Sequence, residues 1–413
     1  MLMEENKPLA PLTTFGIGGP ARWFVEASSE DDIAEAAAWA TSRQVPIFVL
    51  GGGSNLLVSD AGFNGLVLRV GLRGIAVCPG PHAGDWERIS TDEQGVGAIE
   101  DAERWRTAGG FPDKRPSAAK ARVGSEAAMY GPKPVPFTEP SFFASCKALT
   151  YQAAAGEDWD GFVERAVEDN CAGIECLAGI PGTVGGTPVQ NVGAYGQEVA
   201  STVERVRAFD LQERGFVELP AAACGFAYRR SRFNSTDRGR YIVTRVDYCL
   251  TPGGAPTVRY AELQRVLAER GSRGEEPGLS EVAAAVRRIR QAKGMLLVEG
   301  DPDCRSAGSF FKNPVVGEEQ ARQIAAACAK EPPRFPAGQD GIKLPAAWLI
   351  EQAGFAKGHT LGSAAVSSRH TLALVNKGGA TAAEILALAT QITAAVEARF
   401  GIHLEMEPVL LGF

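Results

Sequence analysis

Residues 49–60 read VLGGGSNLLVSD: three adjacent glycines, then Ser54 and Asn55, set between two apolar runs. Each glycine costs roughly 0.5–1 kcal/mol relative to alanine inside a regular element, so a run of three directly after VPIFVL answers a backbone demand. A tight turn after a strand is one such demand, and a phosphate cradle is the other. Without Cβ atoms, successive N–H groups can converge on an anion, with the Ser54 hydroxyl and the Asn55 amide as further donors at the rim. No G-x-G-x-x-G occurs here, which sets the run apart from the dinucleotide fingerprint of a Rossmann unit. A second glycine-rich segment, LAGIPGTVGGTPVQNVGAYGQEV (177–199), holds six glycines in 23 residues and is neither ordinary helix nor ordinary strand. Two such loops, each following an apolar run and more than 100 residues apart, suggest two walls around one extended polyanionic cofactor.

Around the first loop the pattern alternates. ARWFVEAS reads as a strand, SEDDIAEAAAWATSR as a helix opened by Ser29 with acidic residues in its first turn, PIFVL as a buried strand and GLVLRV as another. Eight of the 25 prolines lie between Pro79 and Pro140, and the segment 78–146 reads as an inserted excursion. LTYQAAAGEDWDGFVERAVEDN then reads as a strand running into an amphipathic helix, RVRAFD and RYIVTRVDYCL as antiparallel strands, and residues 278–293 as a basic helix. AAWLIEQAGF and TAAEILALATQITAAVEARF read as helices flanking the strand HTLALVN, and IHLEMEPVLLGF as a closing strand.

At 413 residues and 45% hydrophobic content the chain can bury the cores of two or three domains. No stretch approaches the ~18 apolar residues needed to span a bilayer and the N-terminus has no apolar leader, so the expected location is the cytoplasm and no membrane partner is expected. Eight cysteines without a C-x-x-C, and only four histidines, argue against structural zinc, any other metal site or a disulfide framework. A net charge of −7 argues against nucleic acid as a partner. The basic clusters YRRSRFN (228–234) and VRRIRQAK (286–293) suit a small anionic ligand instead.

The segments TTFGIGGPA (13–21), VLGGGSNLLVSD, IPGTVGGTPVQNVGAYG, YRRSRF, GSFFKNP and LEMEP occur in an order that resembles the UDP-N-acetylenolpyruvoylglucosamine reductases. The resemblance covers residues 5–77 and 147–413. It implies an α+β fold: a two-subdomain FAD-binding fold of the vanillyl-alcohol-oxidase type, over 1–72 and 73–292 with the insertion 78–146, then a C-terminal α/β substrate-binding domain over 293–395. Residues 396–413 are then a strand returning to the active site. Gly51, Gly52, Gly53, Ser54 and Asn55 would wrap the FAD pyrophosphate from one side and Gly182, Gly185, Gly186 and Gly193 from the other, with no covalent link to the flavin. The implied activity is NADPH-dependent reduction of UDP-N-acetylglucosamine enolpyruvate to UDP-N-acetylmuramate, with hydride passing from flavin N5 to C3 and a proton to C2.

The resemblance also assigns roles. Arg229 would hold the substrate carboxylate, where a guanidinium fork makes two parallel hydrogen bonds and keeps its proton. Tyr228 stands beside it, and Arg230 and Arg232 are near enough in sequence to serve other anionic parts of the ligand. Ser309 takes the position of the proton donor, and an enolate-like intermediate is basic enough to draw a hydroxyl proton. Glu407 matches the catalytic glutamate, with Glu405 two residues away on the same face of a strand. Tyr228, Tyr260, Lys293 and Asn313 match substrate-binding positions, Tyr260 on a loop that closes over the substrate. His370 and Lys343 are adjacent to the ligand at most. Two other readings remain: a flavin oxidase of the same fold, and a binding protein that turns nothing over.

Overall fold

The computed structural model describes residues 1–80, 147–269, 276–326, 328, 331–337 and 341–413. Of the segment read as an insertion, everything beyond residue 80 lies outside the described residues.

The first sheet has the order β1-β2-β5-β3, from Met3–Pro8, Pro20–Ala27, Phe63–Val70 and Ile47–Leu50. β2 and β3 both run parallel to β5, and β1 is antiparallel at the edge. Helix α1 (Glu30–Ser42) makes the crossover that a parallel pair requires. Its start is written in the sequence. Ser29 and Asp32 form a reciprocal capping box, and Glu30, Asp31 and Asp32 fill the first turn, where the positive end of the helix dipole favours them. Ile33, Ala36, Ala37 and Ala40 recur at helical spacing and are buried against the sheet.

The second sheet is antiparallel, in the order β12-β11-β13-β7-β6. Its strands are Gly215–Pro220, Val203–Asp210, Tyr241–Pro252, Leu149–Ala154 and Ile75–Pro79. β6 and β7, which flank the segment 80–148, pair directly, Ile75 opposite Ala153. Helices α2 (Trp159–Glu168), α3 (Ala261–Ala268) and α4 (Leu279–Ala292) accompany it, and the short β8 (Cys171–Ala172) pairs with the end of β13. The hairpin β9 (Gly193–Ala194) and β10 (Gln197–Glu198) stands apart. Trp159, Phe162 and Tyr248 pack ring to ring, with centroids 5.1–5.7 Å apart, inside a core that continues through Val25, Ile33 and Leu68 of the first sheet. The two sheets therefore share one core.

The C-terminal part carries two small antiparallel sheets. One joins β14 (Val315–Gly317), β16 (Gly341–Lys343) and β15 (Phe335–Ala337), and the other β17 (Thr360–Leu361), β18 (Ala364–Val366) and β19 (Leu374–Asn376). Helices α5 (Glu318–Ala326), α6 (Ala346–Gln352) and α7 (Ala382–Phe400) pack on them. Phe15, Ile17 and Leu57 from the N-terminal part enter this core beside Phe310, Leu374 and Ile392. The closing segment is strand only at β20 (Val409–Leu411), whereas the whole of IHLEMEPVLLGF reads as strand by pattern. Pro408 explains the break, because it cannot donate to a ladder. Before it the chain makes a single bridge, Met406 to Phe311. β20 pairs in parallel with β4 (Leu56–Val58), directly after the three glycines.

One ion pair links α1 to the second sheet. Arg207 on β11 grips Glu30 through Nε and Nη2, each at 2.8 Å, and Thr244 donates to the same carboxylate at 2.9 Å. Arg207 above all, with Thr244 assisting and burial opposing, holds the Glu30 carboxyl below its ordinary value of 4.5. A depressed folded-state value stabilises the protein above the unfolded-state value, and that gain is lost as pH falls through the folded one. Glu30→Gln is thus expected to lower Tm at neutral pH, with the gap to wild type closing below about pH 4. A gap undiminished in melts at pH 3 would contradict this account.

Candidate functional site

The two glycine-rich segments meet. A Cβ on Gly52 would lie 2.6 Å from the Gly182 Cα, and one on Gly53, at φ +64°, 1.9 Å from the Leu12 carbonyl oxygen. Only glycine lets three backbones approach this closely. The Ser54 hydroxyl donates to the Pro181 carbonyl at 2.9 Å, and Asn55 Nδ2 donates to Gln190 Oε1 at 2.7 Å and to the Glu407 carbonyl at 3.2 Å. These side-chain donors tie the walls together. Between the walls lies a cavity of about 550 Å³, lined by all of residues 51–55, by Gly182 and Gly186, and by Arg229, Lys312 and Glu407. Gly185 and Gly193 do not line it. Gly185 is pressed on Ala155, and Gly193 leaves room for Glu198 across the β9–β10 hairpin. The volume falls in the range usual for small-molecule and cofactor sites, about 300–1,000 Å³, and a cradle whose closure excludes side chains fits a diphosphate.

Arg229 sits in a tight turn in which Ala227 and Arg230 exchange backbone hydrogen bonds, and its own φ is +53°. An arginine in this left-handed region is strained by about 1 kcal/mol or more, a cost that concentrates at functional positions. Its Nε lies 2.9 Å from Glu407 Oε1, but the N–H is not directed at that oxygen and Nε keeps no aligned acceptor. Glu407 arrives from the opposite direction. β20 fixes the chain after it, and its backbone N–H donates to the Phe310 carbonyl at 2.9 Å. Burial pushes its carboxyl above the ordinary value of 4.5, while Arg229 and Lys312 pull it down. The Glu405 side chain, 70% exposed, is bound by Lys312 Nζ at 3.0 Å, whereas that of Glu407 is 12% exposed. Burial, not alternation, separates the two glutamates.

A second cavity of about 640 Å³ shares Arg229, Asn234 and Lys312 with the first and adds Tyr228, Arg230 and Asn313. Asn313 Oδ1 also accepts from the Ala346 N–H at the start of α6, at 2.9 Å. Lys343 Nζ lies 5.0 Å from the Tyr228 ring centre. Arg232 is taken by Asp237, at 2.7 Å, and lines neither cavity.

Tyr260 and Lys293 belong to a separate cluster. Tyr260 precedes α3 and meets Tyr195 edge-on, with centroids 5.6 Å apart. Lys293, at the end of α4, lies 2.5 Å from Glu262 and 5.9 Å from the Tyr195 ring centre. His370 is close enough to feel both charges; burial first, then Lys293 and Lys357, lowers it to about 4, so it is neutral at pH 7. Ser309 is half-buried and follows Gly308, whose φ is +70°. It lines neither cavity, but the next residue, Phe310, carries the carbonyl that receives the Glu407 N–H. Arg229 and Glu407 are thus in direct contact, and the Ser309 segment is joined to theirs by backbone.

The sequence reading passed over Lys312, Gln190 and Tyr195, although all three stand inside motifs it quoted. Lys312 meets Glu405 across the isolated Phe311–Met406 bridge, a pairing with no local signal in the sequence. Among the described residues no group of three or more His, Cys, Asp or Glu side chains could hold a metal ion, and no helix is long and apolar enough to cross a membrane.

Two family profiles match the chain. Residues 301–411 match the C-terminal domain of UDP-N-acetylenolpyruvoylglucosamine reductase, and residues 21–81 with 144–214 match an FAD binding domain. UDP-N-acetylenolpyruvoylglucosamine reductase of Thermobifida fusca is 39% identical over 99% of this chain and 98% of its own length. The protein of the same name from Streptomyces coelicolor is 37% identical over 99% of this chain and 90% of its own. The crystal structure of UDP-N-acetylenolpyruvylglucosamine reductase from Thermus caldophilus superposes with a TM-score of 0.57, at 23% identity, over 99% of this chain and 100% of that one. The fold is accordingly the α+β arrangement implied by the motifs: a two-part FAD-binding fold of the vanillyl-alcohol-oxidase type, followed by the C-terminal domain.

Two outcomes follow from this geometry. Gly52→Ala forces the glycine walls apart and is expected to weaken flavin retention about tenfold, equivalent to ~1.4 kcal/mol, while circular dichroism stays native. Unchanged flavin affinity would mean that the walls do not close on the cofactor. Arg229→Met removes a cation that lowers the Glu407 carboxyl, so the Glu407 titration, followed by carbon NMR of labelled glutamate, should move to higher pH.

Proposed function

Because the chain belongs to the UDP-N-acetylenolpyruvoylglucosamine reductase family, we propose that it reduces UDP-N-acetylglucosamine enolpyruvate to UDP-N-acetylmuramate with NADPH, in the cytoplasm. FAD held without a covalent bond between the glycine walls supplies hydride transfer from the nicotinamide to C3 of the enolpyruvyl ether. The observation that carries this reading is the Arg229–Glu407 pair, held where the glycine-walled cavity adjoins a second one.

The chain's own groups then have distinct tasks. Arg229 binds the substrate carboxylate, where negative charge collects as C3 is attacked; it lines both cavities and has terminal N–H donors besides the Nε that faces Glu407. Glu407 orients Arg229 and keeps a buried carboxyl beside the reacting carbons. Ser309 gives its hydroxyl proton to C2, supported by the backbone link between its segment and Glu407. Tyr228 and Asn313 line the second cavity, as expected of groups that meet the UDP-sugar. Tyr260 closes over it from the Tyr195 side, with Lys293 available to its phosphates once Glu262 yields. In this assignment residues 293–395 carry the substrate, and 396–413 return Glu407 to the flavin-binding part, 1–292.

The purified protein should be yellow, be bleached by NADPH, and regain its colour anaerobically when the UDP-enolpyruvyl sugar is added. Bleaching without recovery of colour would overturn the substrate assignment and favour an oxidase or a binding protein. Ser309→Ala should leave bleaching by NADPH intact and slow the recovery about 10²–10⁴-fold, the usual contribution of a positioned acid. Equal slowing of both half-reactions would refute its role as proton donor.

A further inference from the structure

Glu175 is completely buried, yet among the described residues it forms no ion pair with lysine, arginine or histidine. A carboxylate in that position is tolerated only if hydrogen bonds replace its water. It accepts three, from three separate segments. Gly173 N–H reaches Oε2 at 2.8 Å, Gln197 Nε2 reaches Oε1 at 2.8 Å, and Thr257 N–H reaches Oε1 at 2.7 Å. The neighbouring Cys176 completes the arrangement: its thiol donates to the Thr257 carbonyl at 3.0 Å and its N–H to Gln197 Oε1 at 2.8 Å. Both backbone groups of Thr257 are therefore held.

Gln197 and Thr257 are the roots of two aromatic residues. Gln197 opens β10, two residues after Tyr195, which stands at φ +48° in the hairpin turn. Thr257 lies three residues before Tyr260, and the chain leading to it from β13 begins Gly253-Gly254. Two glycines give that connection little stiffness of its own. Its start is held by the Gly253 N–H on the Asn170 carbonyl at 2.8 Å, and the approach to Tyr260 by the grip on Thr257 together with Gln264 Nε2 on the Val258 carbonyl. The ring of Tyr260, 44% exposed, then rests edge-on against Tyr195. A carboxylate suits the position because it only accepts; a carboxamide would turn an NH2 group toward one of the three donors.

We propose that Glu175 is a positioning residue: through Thr257 and Gln197 it holds the Tyr260 segment against the Tyr195 hairpin, and so sets Tyr260 to close on the UDP-sugar. This rests on the role of Tyr260 in the reading above. No contact between Glu175 and substrate is involved.

The test is a double-mutant cycle on the FAD-loaded enzyme, with steady-state rates measured against UDP-N-acetylglucosamine enolpyruvate at saturating NADPH. Glu175→Gln should raise KM about tenfold, as expected for a buried donor left unpaired, with kcat within about threefold of wild type. In a Tyr260→Ala background, where KM is already raised, the same substitution should add almost nothing, since both act through one contact. Additive effects would mean that Glu175 only supports the fold, and would overturn the inference while leaving the function intact. Tyr260→Ala with an unchanged KM would overturn the inference together with the role of Tyr260 beneath it. Should Glu175→Gln fail to fold, Cys176→Ala removes the second hold on Thr257 at little cost; it should raise KM about threefold in the wild-type background and not at all beside Tyr260→Ala. No change in KM for Cys176→Ala in that case would overturn the inference.

Discussion

The site depends on one pairing between the ends of the chain. β20 lies parallel to β4, and the Val409 N–H donates to the Asn55 carbonyl at 2.9 Å, so a residue two places past the three glycines is joined to the C-terminal strand β20. A parallel pair between such distant segments closes a very long loop, and local propensity contributes little to it. It is secured by side chains on both flanks. Leu56, Val58 and Leu411 are buried in one small core with Leu9 and Phe24, and Asn55 reaches the Glu407 carbonyl. With the Glu407 N–H on the Phe310 carbonyl, this pairing brings Glu407 beside Arg229.

Charge is managed by pairing before any ligand arrives. Glu405 holds Lys312, Glu407 faces Arg229, and Glu262 holds Lys293. Burying the Glu407 carboxylate is costly, and Arg229 and Lys312 offset that cost only in part, which is why its carboxyl stands above the ordinary value. At Glu175 the same problem is solved with neutral N–H donors, two from the backbone and one from the buried Gln197 side chain. The first solution leaves cations that a ligand can take over, and the second leaves a fixed scaffold.

What the sequence made legible was local chemistry. Ser29 and Asp32 announce α1, the alternation of apolar residues gives the long strands of the second sheet, and the glycine runs mark the two walls. Glycine content does not translate residue by residue into cavity lining. Gly185 answers to Ala155 in the core and Gly193 to Glu198 in a hairpin, demands that look identical in sequence to those of Gly52 and Gly182. The choice between Glu405 and Glu407 was equally invisible, because a two-residue spacing encodes a face but not which end of that face is covered. The motifs group Tyr228 and Asn313 with Tyr260 and Lys293 as a single substrate set, and the fold divides them between the second cavity and the Tyr195 cluster.

That division has a physical consequence for how an extended anionic ligand is held. In the proposed reading a substrate carboxylate becomes a second anion beside Arg229, which already has Glu407 2.9 Å away, so it gains little from charge alone. Its gain lies in geometry: Arg229 lines both cavities, and a guanidinium offers terminal N–H donors besides the Nε that faces Glu407. Net attraction must come from elsewhere on the rim. Arg230 beside the second cavity and Arg238 beside the first are exposed and paired with no carboxylate among the described residues. In the proposed function an anionic ligand would be drawn by those rim charges, oriented by Arg229, and gripped at its far end by groups whose geometry is set from the Tyr195 hairpin. Recruitment, alignment and closure thus rest on different residues, and a substitution that damages one need not damage the others.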